Sequence, residues 1–196
     1  MCNEVRRTVA LGQIRDDFSQ IRIPLRFPEG APNLGPLESI RITDPTAIIR
    51  AAPEGAELVQ RRWSWPGPGG KPVYNFRSDG REFTSGRCLV PVDGFFEFTD
   101  PPPSERAPKK RKKDKWLFTK AGEDWFCIAS IWRTSQVGEA FTMLTTDPGP
   151  DVAPYHNRQV AVLDRSDWAR WLDAAVPAAT ILKPLPAGTL EVTQVR

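Results

Sequence analysis

The stretch RCLVPVDGFFEF, residues 87–98, decides the fold class of this sequence. It contains two apolar runs, RCLVPV (87–92) and FFEF (95–98), on either side of Asp93-Gly94. An Asp-Gly pair between apolar runs is a strong signal for a tight turn that joins antiparallel strands. We therefore predict two strands here that pair with each other as a β-hairpin.

Similar apolar runs occur along the rest of the chain. A second hairpin is predicted from AIIRAA (47–52) and ELVQRRW (57–63), which flank the turn-forming residues 53–56. Residues 24–38 and 65–72 are rich in proline and glycine, and we expect loops there. Further strands are predicted at WFCIASIW (125–132), AFTMLTT (140–146), QVAVL (159–163) and LEVTQVR (190–196).

Two segments, residues 12–21 and 166–175, have the periodicity of short helices. The second has Ser166 as its predicted N-cap. Strands outnumber helices by about three to one and do not alternate with them as in a parallel sheet. We predict one α+β domain over residues 1–196, with a mainly antiparallel, barrel-like β-sheet and a few short helices. The apolar stripe of the second helix comprises Trp168, Trp171, Leu172 and Ala175.

The composition, with 40% hydrophobic and 26% charged residues, is that of a soluble globular protein. No apolar run approaches the roughly 20 residues that a membrane span requires, and the N-terminus lacks the apolar core of a secretory signal. We expect a cytoplasmic monomer, associated with the nucleoid if the source is a bacterium. Three cysteines without a CxxC pair argue against a disulfide framework and a zinc site, and we expect neither metal nor cofactor.

The net charge of +3 is concentrated in one segment. Residues 99–115 hold seven cations and three anions, so this segment carries +4 and the remainder of the chain −1. The segment is proline-rich and then densely basic, and it can bury little apolar surface. We predict a mobile inserted loop that adds non-specific nucleic-acid affinity and contributes little to chemistry.

Cys2 follows the initiator methionine, and removal of Met1 would leave a cysteine with a free α-amine next to its thiol. An α-amine has a pKa near 8, so a useful fraction is neutral at pH 7. Such an amine can attack an aldehyde to give a Schiff base. The neighbouring thiol can then close a five-membered thiazolidine ring. The alternative is that Cys2 is simply an incidental second residue.

Three other residues are candidates for the same chemistry. His156 is the single histidine of the chain, and its ordinary pKa suits proton transfer. Glu97 lies among aromatic residues, where burial would raise its pKa, although strand alternation could equally place it in solvent. Asn75 could orient a group or simply form a turn, and His156 could be an ordinary surface residue.

The order of the motifs resembles the SRAP family (SOS-response-associated peptidase), from Cys2 to about Leu172. RCLVPVDGFFEF is the most specific part of the resemblance. Asn33 and Pro36 in NLGP and the pair Arg62-Trp63 are supporting matches. The motifs are MC at the start, NFRSD (75–79), RCLVPVDGFFEF (87–98), CIASIW (127–132), MLTT (143–146) and HNR (156–158).

The resemblance implies binding to single-stranded DNA and a covalent thiazolidine between Cys2 and an abasic site, which would shield the lesion during repair. It implies that Asn75 positions this cysteine and that Glu97 transfers protons at the amine. It also implies that His156 helps to open the sugar ring and to form or reverse the Schiff base.

The resemblance further implies that Arg77 and Arg158 contact DNA phosphates, and Arg87 is a third expected phosphate contact. Two departures from the family pattern concern charge. Glu4 stands where the family has a cation, which should weaken phosphate attraction locally, and Gly86 replaces an arginine.

Two alternative functions remain open at the level of the sequence. One is a non-covalent nucleic-acid-binding module, which would be favoured if Met1 were retained or if the basic loop carried the affinity. The other is a thiol peptidase, acting on its own N-terminus or on peptides, that uses Cys2 and His156. No separate oxyanion-hole motif is visible for such a peptidase.

Overall fold

The computed structural model describes residues 2–102 and 111–196. Two α-helices, α1 (Leu11–Gln20) and α2 (Arg165–Leu172), and two 3-10 helices, Pro68–Gly70 and Ala178–Thr180, lie among the strands of this described part. The strands within it, β1 to β16 in chain order, are Glu4–Arg7, Leu25–Arg26, Leu37–Arg41, Pro45–Ala52, Gly55–Trp63, Trp65–Pro66, Pro72–Val73, Asn75–Arg77, Arg87–Val92, Gly94–Thr99, Asp114–Lys120, Phe126–Ser135, Gly138–Thr146, Gln159–Val160, Val162–Leu163 and Leu190–Gln194.

The larger sheet has the order β14-β13-β12-β9-β4-β5-β2, and β5 also pairs in parallel with β13. This additional pairing connects the two ends of a five-strand path, because β13, β12, β9, β4 and β5 then each have a partner on both sides. The five strands therefore form a closed barrel. The predicted α+β class with a mainly antiparallel, barrel-like sheet is confirmed.

The smaller sheet has the order β16-β11-β10-β1-β3, and its strands pair antiparallel. The N-terminal strand β1 lies inside this sheet, with β10 on one side and β3 on the other. Val5 is paired with Phe95 of β10 and with Ile40 of β3. Cys2, two residues before Glu4, is therefore close to a strand that is paired on both sides.

The predicted hairpin at Asp93-Gly94 is wrong, because β9 and β10 belong to different sheets. Strand β9 pairs with β12 and β4, whereas β10 pairs with β1 and β11. The carboxylate of Asp93 accepts hydrogen bonds from the backbone N–H groups of Thr8 and Val9 and pairs with Arg6. The Asp93 side chain is thus bonded to the segment after β1. The Asp93-Gly94 pair lies where the chain passes from the larger sheet to the smaller sheet.

The core follows from strand alternation, which gives the barrel strands two apolar faces. One face packs against the helices, where Trp168 and Trp171 of α2 are fully buried and Phe18 of α1 stacks on Trp168 at 5.0 Å. The other face packs with the smaller sheet and includes Cys88 and, at the N-terminus, Cys2. Cys2 therefore lies at the margin of a packed core.

Most of the predicted elements are confirmed to within a few residues, including the 47–52/57–63 hairpin and both helices. Helix α2 begins one residue early, after Asp164 as its N-cap, and Ser166 does not cap it. Ala175 lies beyond the end of α2 and is exposed. The predicted loops contain the short strands β2, β6 and β7.

The basic insertion is shorter than predicted, because β10 continues to Thr99 and β11 begins at Asp114. Residues 103–110, which carry part of the predicted mobile loop, lie outside the described residues. None of the helices in the described part of the chain is long and apolar enough to cross a membrane.

Candidate active site

Cys2 lies two residues before the start of β1 and is only 1% exposed. The side-chain amide of Asn75 donates a hydrogen bond of 2.6 Å to the Cys2 carbonyl oxygen. The Cys2 thiol donates to the backbone carbonyl of Glu4 at 3.4 Å. These two bonds hold both the backbone and the side chain of Cys2 in one orientation.

Asn75 reaches Cys2 because its short strand β8 is fixed to the barrel. In the parallel pairing of β8 with β13, Asn75 is matched with Met143. The preceding carbonyl, of Tyr74, accepts hydrogen bonds from the Trp63 indole at 2.8 Å and from the Met143 backbone at 3.2 Å. Asn75 therefore belongs to the larger sheet, while Cys2, which it contacts, precedes the first strand of the smaller sheet.

Glu97 lies in the middle of β10, and its side chain is buried rather than in solvent. Its carboxylate accepts a hydrogen bond from the backbone nitrogen of Cys2. Burial raises the pKa of Glu97 from 4.5 to about 7. A carboxyl with this pKa, in contact with the nitrogen that becomes the α-amine when Met1 is removed, can exchange a proton with that nitrogen near neutral pH.

His156 lies in the turn before β14 and borders a pocket of about 600 Å³, which Glu97 also lines. The Nδ1 atom of His156 accepts the backbone N–H of Arg158 at 2.9 Å, so the proton of the neutral ring is on Nε2. Burial lowers the pKa of His156, which favours this neutral form at pH 7. Asn3, Tyr74 and Phe98 also line the pocket.

The Cys2 thiol is protonated at neutral pH. Burial, followed by the negative charge of Glu97, raises the pKa of Cys2 above its ordinary value. A thiol in this state is a poor first nucleophile, because the thiolate is the reactive form. The arrangement favours reactions in which the nitrogen of Cys2 reacts first and the sulfur second.

The three arginines expected to contact phosphates occupy very different environments. Arg77 extends into solvent, with a side-chain exposure of 69%, and its Nε lies 3.2 Å from the Asp79 carboxylate. Arg158 is 8% exposed and lies between the carboxylates of Asp79 and Asp147, each at 2.6 Å. Its charge is therefore already compensated by two carboxylates.

Arg87 does not fit the expected phosphate contact. It is buried, and its guanidinium donates to the carbonyl oxygens of Phe83 at 2.7 Å, Asp173 at 3.0 Å and Val176 at 2.8 Å. It also lies over the ring of Trp171 at 4.6 Å. Arg87 therefore satisfies the last carbonyl groups around the end of α2 and is not available to DNA.

A model of the family described as SOS response associated peptidase (SRAP) matches residues 72–196, which is more than half of the chain. The chain belongs to the SRAP family. The match includes Asn75, Glu97 and His156, whereas Cys2 precedes it.

Curated relatives of this SRAP chain are named abasic site processing proteins. HMCES from Gallus gallus is 30% identical over 120 residues, covering 50% of this chain and 34% of the relative. YoqW from Bacillus subtilis is 26% identical over 122 residues, covering 59% of this chain and 52% of the relative. The chain thus spans about a third to a half of the length of these relatives.

Solved structures share the fold of the SRAP chain. A phage-related protein from Bordetella bronchiseptica has a TM-score of 0.72 at 19% identity, covering 100% of this chain and 94% of that one. A second protein from the same organism has a TM-score of 0.70 at 22% identity, with both chains fully covered. At these identities the likeness concerns the fold alone.

The negative charge of Glu4, a departure from the SRAP pattern, is compensated locally. Its carboxylate accepts hydrogen bonds from Lys115 at 2.7 Å and from the Ser39 hydroxyl at 2.6 Å. Lys115 also lies 3.8 Å from the centre of the Phe96 ring. Sequence reasoning missed this contact, because the partners lie 111 positions apart.

The end of the basic segment, which was predicted to contribute little to chemistry, lies at the site. Lys112 and Lys113 line the same pocket as Glu97 and His156. They directly precede β11, which pairs with β10 and which the sequence analysis did not predict. The described residues contain no group of three or more histidine, cysteine or acidic side chains that could hold a metal ion.

Proposed function

We propose that this protein processes abasic sites in single-stranded DNA by forming a thiazolidine with Cys2. The observation that carries the proposal is the contact of the Cys2 nitrogen with Glu97, together with the hydrogen bond from Asn75 to the Cys2 carbonyl. The names of the curated relatives supply the substrate, an abasic site. An abasic deoxyribose exposes an aldehyde when its ring opens, and an aminothiol is suited to capture it.

The reaction begins at nitrogen. Once Met1 is removed, the α-amine of Cys2 transfers a proton to Glu97 and attacks the aldehyde carbon, forming a carbinolamine. Loss of the hydroxyl as water, with the proton supplied by Glu97, gives the Schiff base. To His156, which lines the same pocket, we assign the protonation of the ring oxygen as the sugar opens.

Ring closure follows at sulfur. The Cys2 thiol adds to the imine carbon, and its proton passes to the imine nitrogen. One aldehyde and one aminothiol thereby give one thiazolidine and one water, with no change in oxidation state. The raised pKa of the thiol is compatible with this order, because the sulfur adds only after an electrophilic imine lies next to it.

A thiol peptidase is less well supported by the same geometry. A cysteine peptidase requires a thiolate, formed by a depressed thiol pKa or by an adjacent base. Here burial raises the pKa of Cys2, and its thiol donates to the Glu4 carbonyl. The nitrogen-first reaction with an aldehyde therefore agrees better with the site than acyl transfer does.

The test is a denaturing gel of the protein mixed with an abasic single-stranded oligonucleotide. We expect a covalent adduct with abasic DNA and none with intact DNA. Cys2→Ala should abolish the adduct, and Cys2→Ser should give at most a labile Schiff base. Cys127→Ala is the matched control, because it removes another buried thiol that belongs to the other core cluster and does not line the pocket. An adduct formed by Cys2→Ala at the wild-type rate would refute the proposal.

A further inference from the structure

An aromatic contact connects the neighbours of Glu97 and His156, which come from different parts of the fold. Glu97 of β10 is paired directly with Trp116 of β11. Residues paired in this way have their side chains on the same face of the sheet. Tyr155, the residue before His156, packs against that same Trp116, with the ring centres 4.8 Å apart. The chain neighbour of one proposed proton-transfer residue therefore contacts the cross-strand neighbour of the other.

The rings that surround Tyr155 are held by β10 and β11. The indole N–H of Trp116 donates to the Thr99 hydroxyl of β10 at 2.9 Å. The Tyr155 ring also meets the Phe118 ring edge-on, with centres 5.3 Å apart, and Phe118 stacks on Phe95 at 4.9 Å. Tilted and edge-on ring pairs are favourable contacts with a defined geometry. Tyr155 therefore has a defined position on the face of the smaller sheet that carries the Glu97 side chain.

The turn that carries His156 is internally bonded, so the position of Tyr155 restricts that of His156. The Val152 carbonyl accepts the backbone N–H groups of both Tyr155 and His156, at 2.9 and 3.0 Å. The Asp151 carboxylate accepts two backbone N–H groups of residues 188–190, each at 2.9 Å. These bonds hold the middle of the turn beside the start of β16, and Tyr155 holds its end beside β11.

We propose that Tyr155 is a positioning residue, whose ring contact with Trp116 sets the place and orientation of the His156 imidazole relative to Glu97. The proposal rests on the proposed function, in which both side chains transfer protons during the capture of one aldehyde. A displacement of about 1 Å near reacting groups can cost about 10²-fold in rate. Among the described residues, Tyr155 does not line the pocket of Glu97 and His156, so we assign no chemistry to its hydroxyl.

The first test measures the rate of adduct formation with an abasic single-stranded oligonucleotide. Tyr155→Leu, which removes the ring, should slow the reaction by about tenfold or more. Tyr155→Phe keeps the ring and should react at close to the wild-type rate. Phe83→Leu is the matched control, because it removes a ring that packs edge-on against Trp171 in the other core cluster. Slowing by Tyr155→Leu that is matched by Tyr155→Phe or by Phe83→Leu would overturn the proposal.

A positioning residue acts through the group that it positions. Tyr155→Leu should therefore have little further effect on the rate in a His156→Ala background. Trp116→Leu removes the other half of the contact, and the double variant Tyr155→Leu/Trp116→Leu should be slowed by less than the product of the two single effects. If Tyr155→Leu slows the His156→Ala protein as much as it slows the wild type, its effect does not pass through His156 and the proposal fails.

The second test observes His156 directly and requires no DNA. His156 is the single histidine of the chain, so its ring signals in an NMR spectrum are identified without further variants. Burial lowers the pKa of His156, and its neutral ring carries the proton on Nε2. In Tyr155→Leu we expect the pKa to rise toward 6.5 and the ring nitrogen shifts to show a mixture of the two tautomers.

Tyr155→Phe and Phe83→Leu should retain the wild-type titration and tautomer of His156. Should Tyr155→Leu fail to fold, Trp116→Leu provides the same comparison from the other side of the contact. An unchanged titration and an unchanged tautomer in a folded variant that lacks either ring would overturn the proposal.

The two tests separate this proposal from the proposed function. A wild-type protein that forms no adduct with abasic DNA would refute the proposed function, and the NMR comparison would still decide whether Tyr155 positions His156. Conversely, an adduct formed by Tyr155→Leu at the wild-type rate would overturn the role of Tyr155 and leave the reaction of Cys2 intact.

Discussion

The buried carboxyl of Glu97 serves the proposed proton transfer, but its ionisation lowers the stability of the folded protein. The carboxyl is buried, and its pKa of about 7 means that the native state resists ionisation. Between pH 4.5 and about 7 the unfolded chain has already lost this proton, while the native protein still holds it. Stability therefore falls as pH rises through this window, by about 3 kcal/mol in total.

Glu97→Gln should remove this loss. Between pH 4.5 and pH 8, the free energy of unfolding of the variant should rise by about 3 kcal/mol relative to that of the wild type. Urea unfolding at both pH values measures this difference. The same variant should form the adduct about 10²-fold more slowly or worse, because the proton-transfer group is gone. Glu38→Gln, at an exposed position of β3, controls for the change of a carboxylate to an amide. A variant that is equally stabilised at both pH values would contradict a buried ionisable Glu97.

At the scale of residues, the sequence proposed side chains that lie near one another in the structure, and their roles stay predictions; it did not contain their environments. Asn75 and Glu97 contact Cys2, and His156 lines the pocket that Glu97 also lines, as the order of motifs indicated. Arg87 was wrong, because an arginine in an apolar strand can serve carbonyl groups as well as phosphates. Which partner it takes depends on where α2 ends, and no local pattern contains that information.

At the scale of elements, Gly86 allows the start of β9 to approach the backbone of β12 closely. It has a φ of +70°, and an added Cβ would lie 2.4 Å from the carbonyl oxygen of Trp132. The N–H of Trp132 donates to the Gly86 carbonyl at 2.7 Å, so neither backbone can move without losing this bond. Any side chain here, including the arginine of the family pattern, would require the strand to shift.

Gly86→Ala should therefore destabilise the protein by about 3 kcal/mol, the sum of a left-handed backbone penalty and a steric clash. Gly122→Ala is the matched control. Its φ is +71°, but no atom lies within 4 Å of the added Cβ, so only the backbone penalty of about 1 kcal/mol applies. Urea unfolding of the two variants gives the comparison. Equal losses would mean that the Trp132 carbonyl does not restrict this position.

The sequence predicted strand pairing correctly where a local turn joins the strands, and incorrectly where contacts distant in sequence decide the pairing. The hairpin of β4 and β5 follows from turn-forming residues between two apolar runs, and two residues connect the paired strands. Asp93-Gly94 has an equally strong local signal, yet β9 and β10 separate. There the Asp93 carboxylate binds the segment after β1, a contact 85 positions away that outweighs the local preference.

At the scale of the whole molecule, the site exists only where the two sheets meet. Cys2 and Glu97 belong to the smaller sheet, Asn75 is attached to the barrel, and His156 comes from a turn before β14. Because β1 is paired on both sides, the N-terminal residue cannot swing away from this junction. The nitrogen of Cys2 is accordingly placed by the complete fold rather than by a flexible tail.

This placement predicts that one additional residue abolishes the reaction. Insertion of alanine between Met1 and Cys2 would leave Ala-Cys after methionine removal. The thiol would be retained, but the cysteine nitrogen would be an amide and could not form a Schiff base. The new α-amine would have no thiol on the neighbouring carbon, and the added residue would compete with the aldehyde for space beside Glu97. Intact-mass measurement after incubation with abasic DNA should detect no stable adduct for the insertion variant. Insertion of alanine after Gly69, in an exposed 3-10 turn, should leave the adduct at wild-type yield. A stable adduct formed at the wild-type rate by the N-terminal insertion variant would show that the reacting nitrogen is not that of Cys2, and the thiazolidine mechanism would fail.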